Sequence, residues 1–122
     1  MYDHIGLRVK NLDVSVRFYE AALNPLGHVL CSQDSSGAGL GPEGAPALWL
    51  YAHKGTREPG VHIAFAAKDR AAVDKFHKDG IKAGGRDNGK PGLRPHYHEH
   101  YYAAFVLDLD GHNIEAVCHT PA

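Results

Sequence analysis

The chain repeats itself, and that constrains its fold more than any other property. Residues 3–27 (DHIGLRVKNLDVSVRFYEAALNPLG) overlie 61–85 (VHIAFAAKDRAAVDKFHKDGIKAGG) at a shift of 58. His4 then meets His62, Ile5 meets Ile63, Lys10 meets Lys68, Phe18 meets Phe76 and Gly27 meets Gly85. In each copy an alternating or apolar stretch passes an Asn or Asp and continues at helical spacing. Such self-similarity builds two copies of one supersecondary unit.

The unit follows from its periodicities. Ile5, Leu7 and Val9 alternate with Gly6 and Arg8, the period of a half-buried strand. Asn11 is placed to cap a helix carrying Val14, Phe18 and Ala21, and Asn24-Pro25 ends it. In the second copy Ile63, Phe65 and Ala67 form the strand, Asp69 the cap, Ala72, Val73 and Phe76 the helical face, and Gly84-Gly85 the stop. Strand-like segments follow the first helix at 28–33, near Gly39 and at 47–52. After the second helix come a Gly/Pro loop at 86–95, strands at 101–107 and 113–118, and an Asp-Gly hairpin at 108–111. The prediction is one α+β domain over 1–122, built of two tandem βαβββ modules at about 3–55 and 61–119. Their sheets form an open curved surface around a cleft. The closing strands align at a shift of 66, Leu48 with Ile114 and Trp49 with Glu115. The second copy therefore holds eight more residues in its middle loop, which contains HYHEH.

Charge excludes one class of partner. Thirteen Lys and Arg against fourteen Asp and Glu give a net charge of −1, without the basic footprint that a phosphate backbone requires. No apolar run approaches the roughly 18 residues of a membrane span. The strand pattern begins by Ile5, which leaves no room for a signal peptide. Cys31 and Cys118 form no CxxC and read as buried free thiols of a reducing compartment, so the expected location is cytoplasmic.

Ten histidines in 122 residues are unusual. His4 and His62 head the first strand of each copy, and Glu115 lies on a closing strand. If the modules assemble symmetrically, two imidazoles and one carboxylate meet in the 2-His-1-carboxylate pattern, which leaves coordination positions open. Arg8 shares a strand face with His4 and Gly6, where a guanidinium suits an anionic substrate group. Trp49 shares a face with Tyr51 and His53, as an apolar wall of the cleft or as a core residue. His96, His98 and His100 alternate, so an extended segment would put them on one face with Tyr102, as a second metal site or a proton relay. Their Gly/Pro surroundings favour a flexible surface loop instead. His28, His53, His77, His112 and His119 read as surface or cap residues.

The stretches DHIGLRVKNLDVSVRFY, HIAFAAKD and FVLDLDGHNIEAV resemble the vicinal oxygen chelate superfamily of glyoxalases, bleomycin resistance proteins and extradiol dioxygenases. The resemblance covers essentially the whole chain. It implies His4, His62 and Glu115 as ligands of a divalent ion (Fe, Mn, Zn or Ni), with Glu115 also able to shuttle a proton. It places Phe105 near a small-molecule substrate, and Tyr101, on the same face, offers a phenol. It also implies a homodimer. Glyoxalase I carries a fourth ligand, a Glu, where this chain has Trp49, and an indole cannot ligate. Three ligands resemble extradiol dioxygenases and fosfomycin resistance thiol transferases. The expected function is Lewis-acid chemistry on vicinal oxygens of a lyase or isomerase type. The alternatives are an Fe(II) dioxygenase, a thiol transferase, or a metal-free drug-binding protein.

Overall fold

A computed structural model describes residues 1–53 and 60–122. The expected module boundary at 55 lies outside the described residues. The first module runs β1 (Ile5–Val9), α1 (Leu12–Leu23), a 3₁₀ turn (Asn24–Leu26), β2 (Val29–Gln33), β3 (Gly37–Gly41) and β4 (Leu48–Ala52). The second runs β5 (His62–Ala66), α2 (Arg70–Lys82), β6 (Arg86–Leu93), β7 (Tyr102–Leu107) and β8 (Asn113–Cys118). Each module makes a four-stranded sheet, in the orders β1-β4-β3-β2 and β5-β8-β7-β6. The first strand of each runs parallel to the closing strand, and the other pairings are antiparallel.

Both shifts in the repeat reappear as register. Ile5 pairs with Leu48 as Ile63 pairs with Ile114, and Leu40 pairs with Leu48 as Val106 pairs with Ile114. Both caps form as expected: Asn11 Oδ1 accepts from Val14 N at 3.2 Å and Asp69 Oδ1 from Ala72 N at 2.8 Å. A cap of this kind is worth about 1 kcal/mol.

Residues 86–93 correct the sequence reading. The expected Gly/Pro loop is strand β6, paired with β7 through two register shifts, one between Asp87 and Gly89 and one between Gly89 and Gly92. Bulges let an edge strand tolerate Gly and Pro, and they erase the period-2 pattern that would reveal it. The segment 94–101 is a tight connection rather than an extended one. Arg94 N donates to Tyr101 O, and Tyr97 N and His98 N both donate to Arg94 O.

The modules dock through one core. Leu7, Val9, Phe18, Tyr19, Leu40 and Leu50 of the first pack in one buried cluster with Val73, Phe76, Val106 and Ile114 of the second. Polar latches cross this junction. Tyr19 Oη donates to the buried Asp108 Oδ2 at 2.5 Å, and Lys10 N donates to Asp110 Oδ1 at 2.9 Å. The turn at 108–111 thus does more than reverse the chain, with Gly111 supplying its left-handed φ of 88°. His112, expected as a surface or cap residue, is buried at 7% exposure. Its Nδ1 accepts from Val61 N, which makes Nε2 the donor to Arg8 O. That imidazole ties β1 to the start of the second module.

Candidate functional site: an imidazole–carboxylate–phenol cluster on the second sheet

Alternation decides which side chains leave the core. On β5, Ile63 is buried while His62, Ala64 and Ala66 are exposed, so His62 stands on the open face of the sheet. Its ring sits beside Glu115 on the neighbouring parallel strand β8. Glu115 is buried at 2% exposure, whereas the His62 side chain is half exposed.

Chemistry fixes how the pair is arranged. His62 Nδ1 lies 3.0 Å from Asn113 O, and Nε2 lies 3.0 Å from Glu115 Oε1. A carbonyl oxygen only accepts, so Nδ1 carries the hydrogen. The Nε2 lone pair and a carboxylate oxygen then face one another, an arrangement that a shared proton or a cation must bridge. Glu115 Oε2 accepts from Tyr101 Oη. Burial, with the Glu115 hydrogen bond, pushes the Tyr101 phenol up to about 12, so it donates throughout the physiological range.

Phe105 pairs in register with Glu115, and its ring lies nearly parallel to His62, centroids 6.3 Å apart. Gly89 of β6 makes room for that ring: a Cβ there would stand 2.8 Å from Phe105 Cδ1. The structure thus brings together His62, Glu115, Tyr101 and Phe105, four residues singled out from sequence.

It does not bring His4 to them within one chain. His4 Nδ1 pairs with Asp3 at 2.7 Å. His4 lines a separate cavity of about 170 Å³ with Leu23, His28, Leu40, Pro42 and Phe65. Among the described residues, no three His, Cys, Asp or Glu side chains stand together as a metal group. The modules associate through their core-facing sides, with α1 against α2.

Trp49, half-buried, lies on the open face of the first sheet at the position that Glu115 holds in the second. Its ring covers Gly39, where a Cβ would meet it at 2.8 Å. Tyr51 covers Gly6 and Gly37 in the same way, so this face is an aromatic wall. Arg8 pairs in register with Tyr51 at the exposed end of β1.

Of the remaining histidines, His96, His98 and His119 are exposed as expected, while His28, His77 and His100 are partly buried. His96 packs on Tyr97, His98 edge-on to His119, and His100 stands 3.9 Å from Glu99, so the three do not share one face. His119 also packs edge-on to Tyr101 and so backs the cluster. His28 is partly buried against Phe65, and its Nδ1 has no hydrogen-bond partner. His77 bonds Asp87 at 2.9 Å. Cys31 and Cys118 are free thiols, the latter buried. Sequence reasoning missed Arg94, whose guanidinium lies over the Phe105 ring at 5.6 Å. Its only signal was its place at the end of an unrecognised strand.

Two βαβββ modules with open sheets, one carrying an imidazole–carboxylate pair on adjacent parallel strands, define the vicinal oxygen chelate class. The chain belongs to the Glyoxalase/Bleomycin resistance protein/Dioxygenase superfamily, whose family model matches residues 2–116. A glyoxalase/bleomycin resistance protein from Albidiferax ferrireducens T118 is 27% identical, with 98% of this chain and 99% of that one covered and a TM-score of 0.83. A glyoxalase/bleomycin resistance protein/dioxygenase family enzyme from Burkholderia phytofirmans PsJN shares the fold at 18% identity, with 97% and 98% covered and a TM-score of 0.76. A domain of the same description from Frankia sp. EAN1pec does so at 21% identity, with 96% and 95% covered and a TM-score of 0.70. Among curated proteins, none matches. No described helix is long and apolar enough to cross a membrane.

Proposed function

We propose that the protein is a divalent-metal-dependent enzyme acting on a small molecule with vicinal oxygens, by lyase- or isomerase-like chemistry. The observation that carries this is the His62–Glu115 pair. His62 Nε2 and Glu115 Oε1 face one another 3.0 Å apart, a nitrogen–oxygen donor pair of the kind that would hold a divalent ion. An imidazole whose far nitrogen donates to a backbone carbonyl is held in the tautomer and orientation that metal ligation uses. The donor set therefore fits Fe, Mn, Zn or Ni.

In this reading His4 is the third ligand and comes from a second chain, because its own chain keeps it apart from His62. A two-fold dimer would set the aromatic wall of one chain's first sheet opposite the polar face of its partner's second sheet. The bound ion would supply Lewis-acid polarisation of the substrate oxygens. The chain's own groups divide the remaining work. Phe105 offers a flat platform beside His62, and Trp49 and Tyr51 exclude water from the facing side. Tyr101 holds Glu115 Oε2 by donation and can pass that hydrogen bond to a substrate oxygen. Glu115, buried yet adjacent to the open face, is the group able to take up or return a proton.

The test is metal content. Protein stripped with EDTA and reloaded should hold about one ion per chain, and His62→Ala should hold none. Retention of a full complement by His62→Ala would overturn the proposal.

A further inference from the structure

Arg94 stands out because three features of the geometry surround its guanidinium. Its Nη2 donates to Lys90 O at 2.8 Å. Its Cζ lies over the Phe105 ring, 5.6 Å from the centroid, and that same ring stacks on His62. The two glycines of β6 beneath it leave a groove that side chains would fill: a Cβ on Gly92 would stand 3.2 Å from Nη1, and one on Gly89 3.4 Å from Nη2. Its positive charge is felt at Tyr101, where it opposes the rise of the phenol's pKa. Arg94 is only partly exposed, and no salt bridge to a carboxylate reaches it among the described residues.

A guanidinium held over an aromatic face and bonded to a backbone carbonyl is restrained in position, with one of its donors used. The other donors remain for a ligand, in the fork that matches two oxygens of one acid group. A positive fork beside a flat ring, next to the groups that would bind vicinal oxygens, constrains the substrate. We infer that Arg94 is the specificity residue of this site and that the substrate carries an oxyanion group, a carboxylate or a phosphonate, adjacent to its oxygen-bearing part. The inference rests on the open face of the second sheet being the binding site, as proposed above, but not on the ion being present.

The probes are salicylate, benzoate and phenylphosphonate, with salicylamide as the neutral counterpart of salicylate. Binding is followed in EDTA through the backbone amide resonances of β6 to β8 in every protein and, in wild type, through the Nε–H resonance of Arg94 as well, so it is scored separately from any metal titration. At least one oxyanion should shift that resonance saturably at millimolar concentration, and salicylamide should bind at least about tenfold more weakly than salicylate. Arg94→Gln should weaken oxyanion binding about tenfold or more, whereas Arg94→Lys, which keeps charge but loses the fork, should weaken it less. Whichever oxyanion binds tighter identifies the acid group. Equal oxyanion affinity in wild type and Arg94→Gln would overturn the inference. So would shifts that map away from Arg94, or no response to any oxyanion by 50 mM on a wild-type scale of roughly 1–10 mM. The wild-type resonance alone decides the matter if a variant fails to fold. Loss of metal binding with oxyanion binding intact would refute the proposed chemistry and leave the specificity residue standing.

Discussion

Trp49 and Glu115 hold the same position in two copies of one sheet. Trp49 pairs with Gly6 and Gly39 as Glu115 pairs with Ala64 and Phe105. One open face therefore presents an indole where the other presents a carboxylate, and the repeat has diverged at the position that matters most for ligation.

Trp49→Glu should place a second carboxylate on the first sheet, above the space that Gly39 leaves. In the proposed dimeric cleft this would add a fourth donor, so metal affinity should rise about tenfold, read by competition with a chromophoric chelator. The wild type, with three protein donors, should turn over the methylglyoxal–glutathione hemithioacetal well below about 10 s⁻¹. Ordinary glyoxalase rates in the wild type would contradict the three-donor account.

His112→Ala should destabilise the fold without touching the site. It removes the hydrogen bonds that His112 makes to Val61 N and Arg8 O at the module junction. Two such losses should cost about 2–3 kcal/mol, visible as a lower urea midpoint at unchanged slope.

Tyr19 gives the fold an alkaline limit. Burial first, then the Asp108 and Asp110 carboxylates, hold its phenol well above 10. Above pH 10 the unfolded chain releases this proton and the native state does not, so native stability, fully present below 10, declines as pH rises. Tyr19→Phe should be less stable near neutrality, because Asp108 loses its donor, yet show a shallower alkaline decline. Urea midpoints at pH 8 and pH 11 for both proteins measure it.

Much of this architecture is legible in the sequence because the module repeats. The shifts of 58 and 66 became pairing registers, and local chemistry at Asn11 and Asp69 became helix caps. The bulged β6 was hidden because Gly89 and Gly92 remove the alternation that marks a strand. His112 was misread for a related reason: neighbouring residues form a turn, and nothing local shows that the turn docks into the other module. The site was legible only in part. Glu115 and His62 emerge from the repeat, but symmetry of sequence did not show that one chain keeps His4 and His62 apart. Arg94 follows directly on an element the pattern concealed.

The proposed shared cleft makes assembly measurable. Light scattering at micromolar concentration should give twice the 13.2 kDa chain mass. An equal mixture of His4→Ala and His62→Ala proteins, allowed to exchange subunits, should regain some metal binding that neither has alone. Each mixed dimer then holds one intact site. No recovery after demonstrated exchange would place both ligands in one chain's site.

The central claim is that His62 and Glu115 hold a divalent ion, completed by His4. Calorimetric titration of EDTA-stripped protein with Mn²⁺ or Ni²⁺ tests it most directly, on wild type, His62→Ala and the His4→Ala, His62→Ala double variant. The account predicts about one ion per chain in wild type, a steep loss of affinity below about pH 6 as imidazole ligands protonate, and no binding in either variant. Stoichiometric binding that survives in the double variant would contradict it and place the metal at the histidines of 94–101.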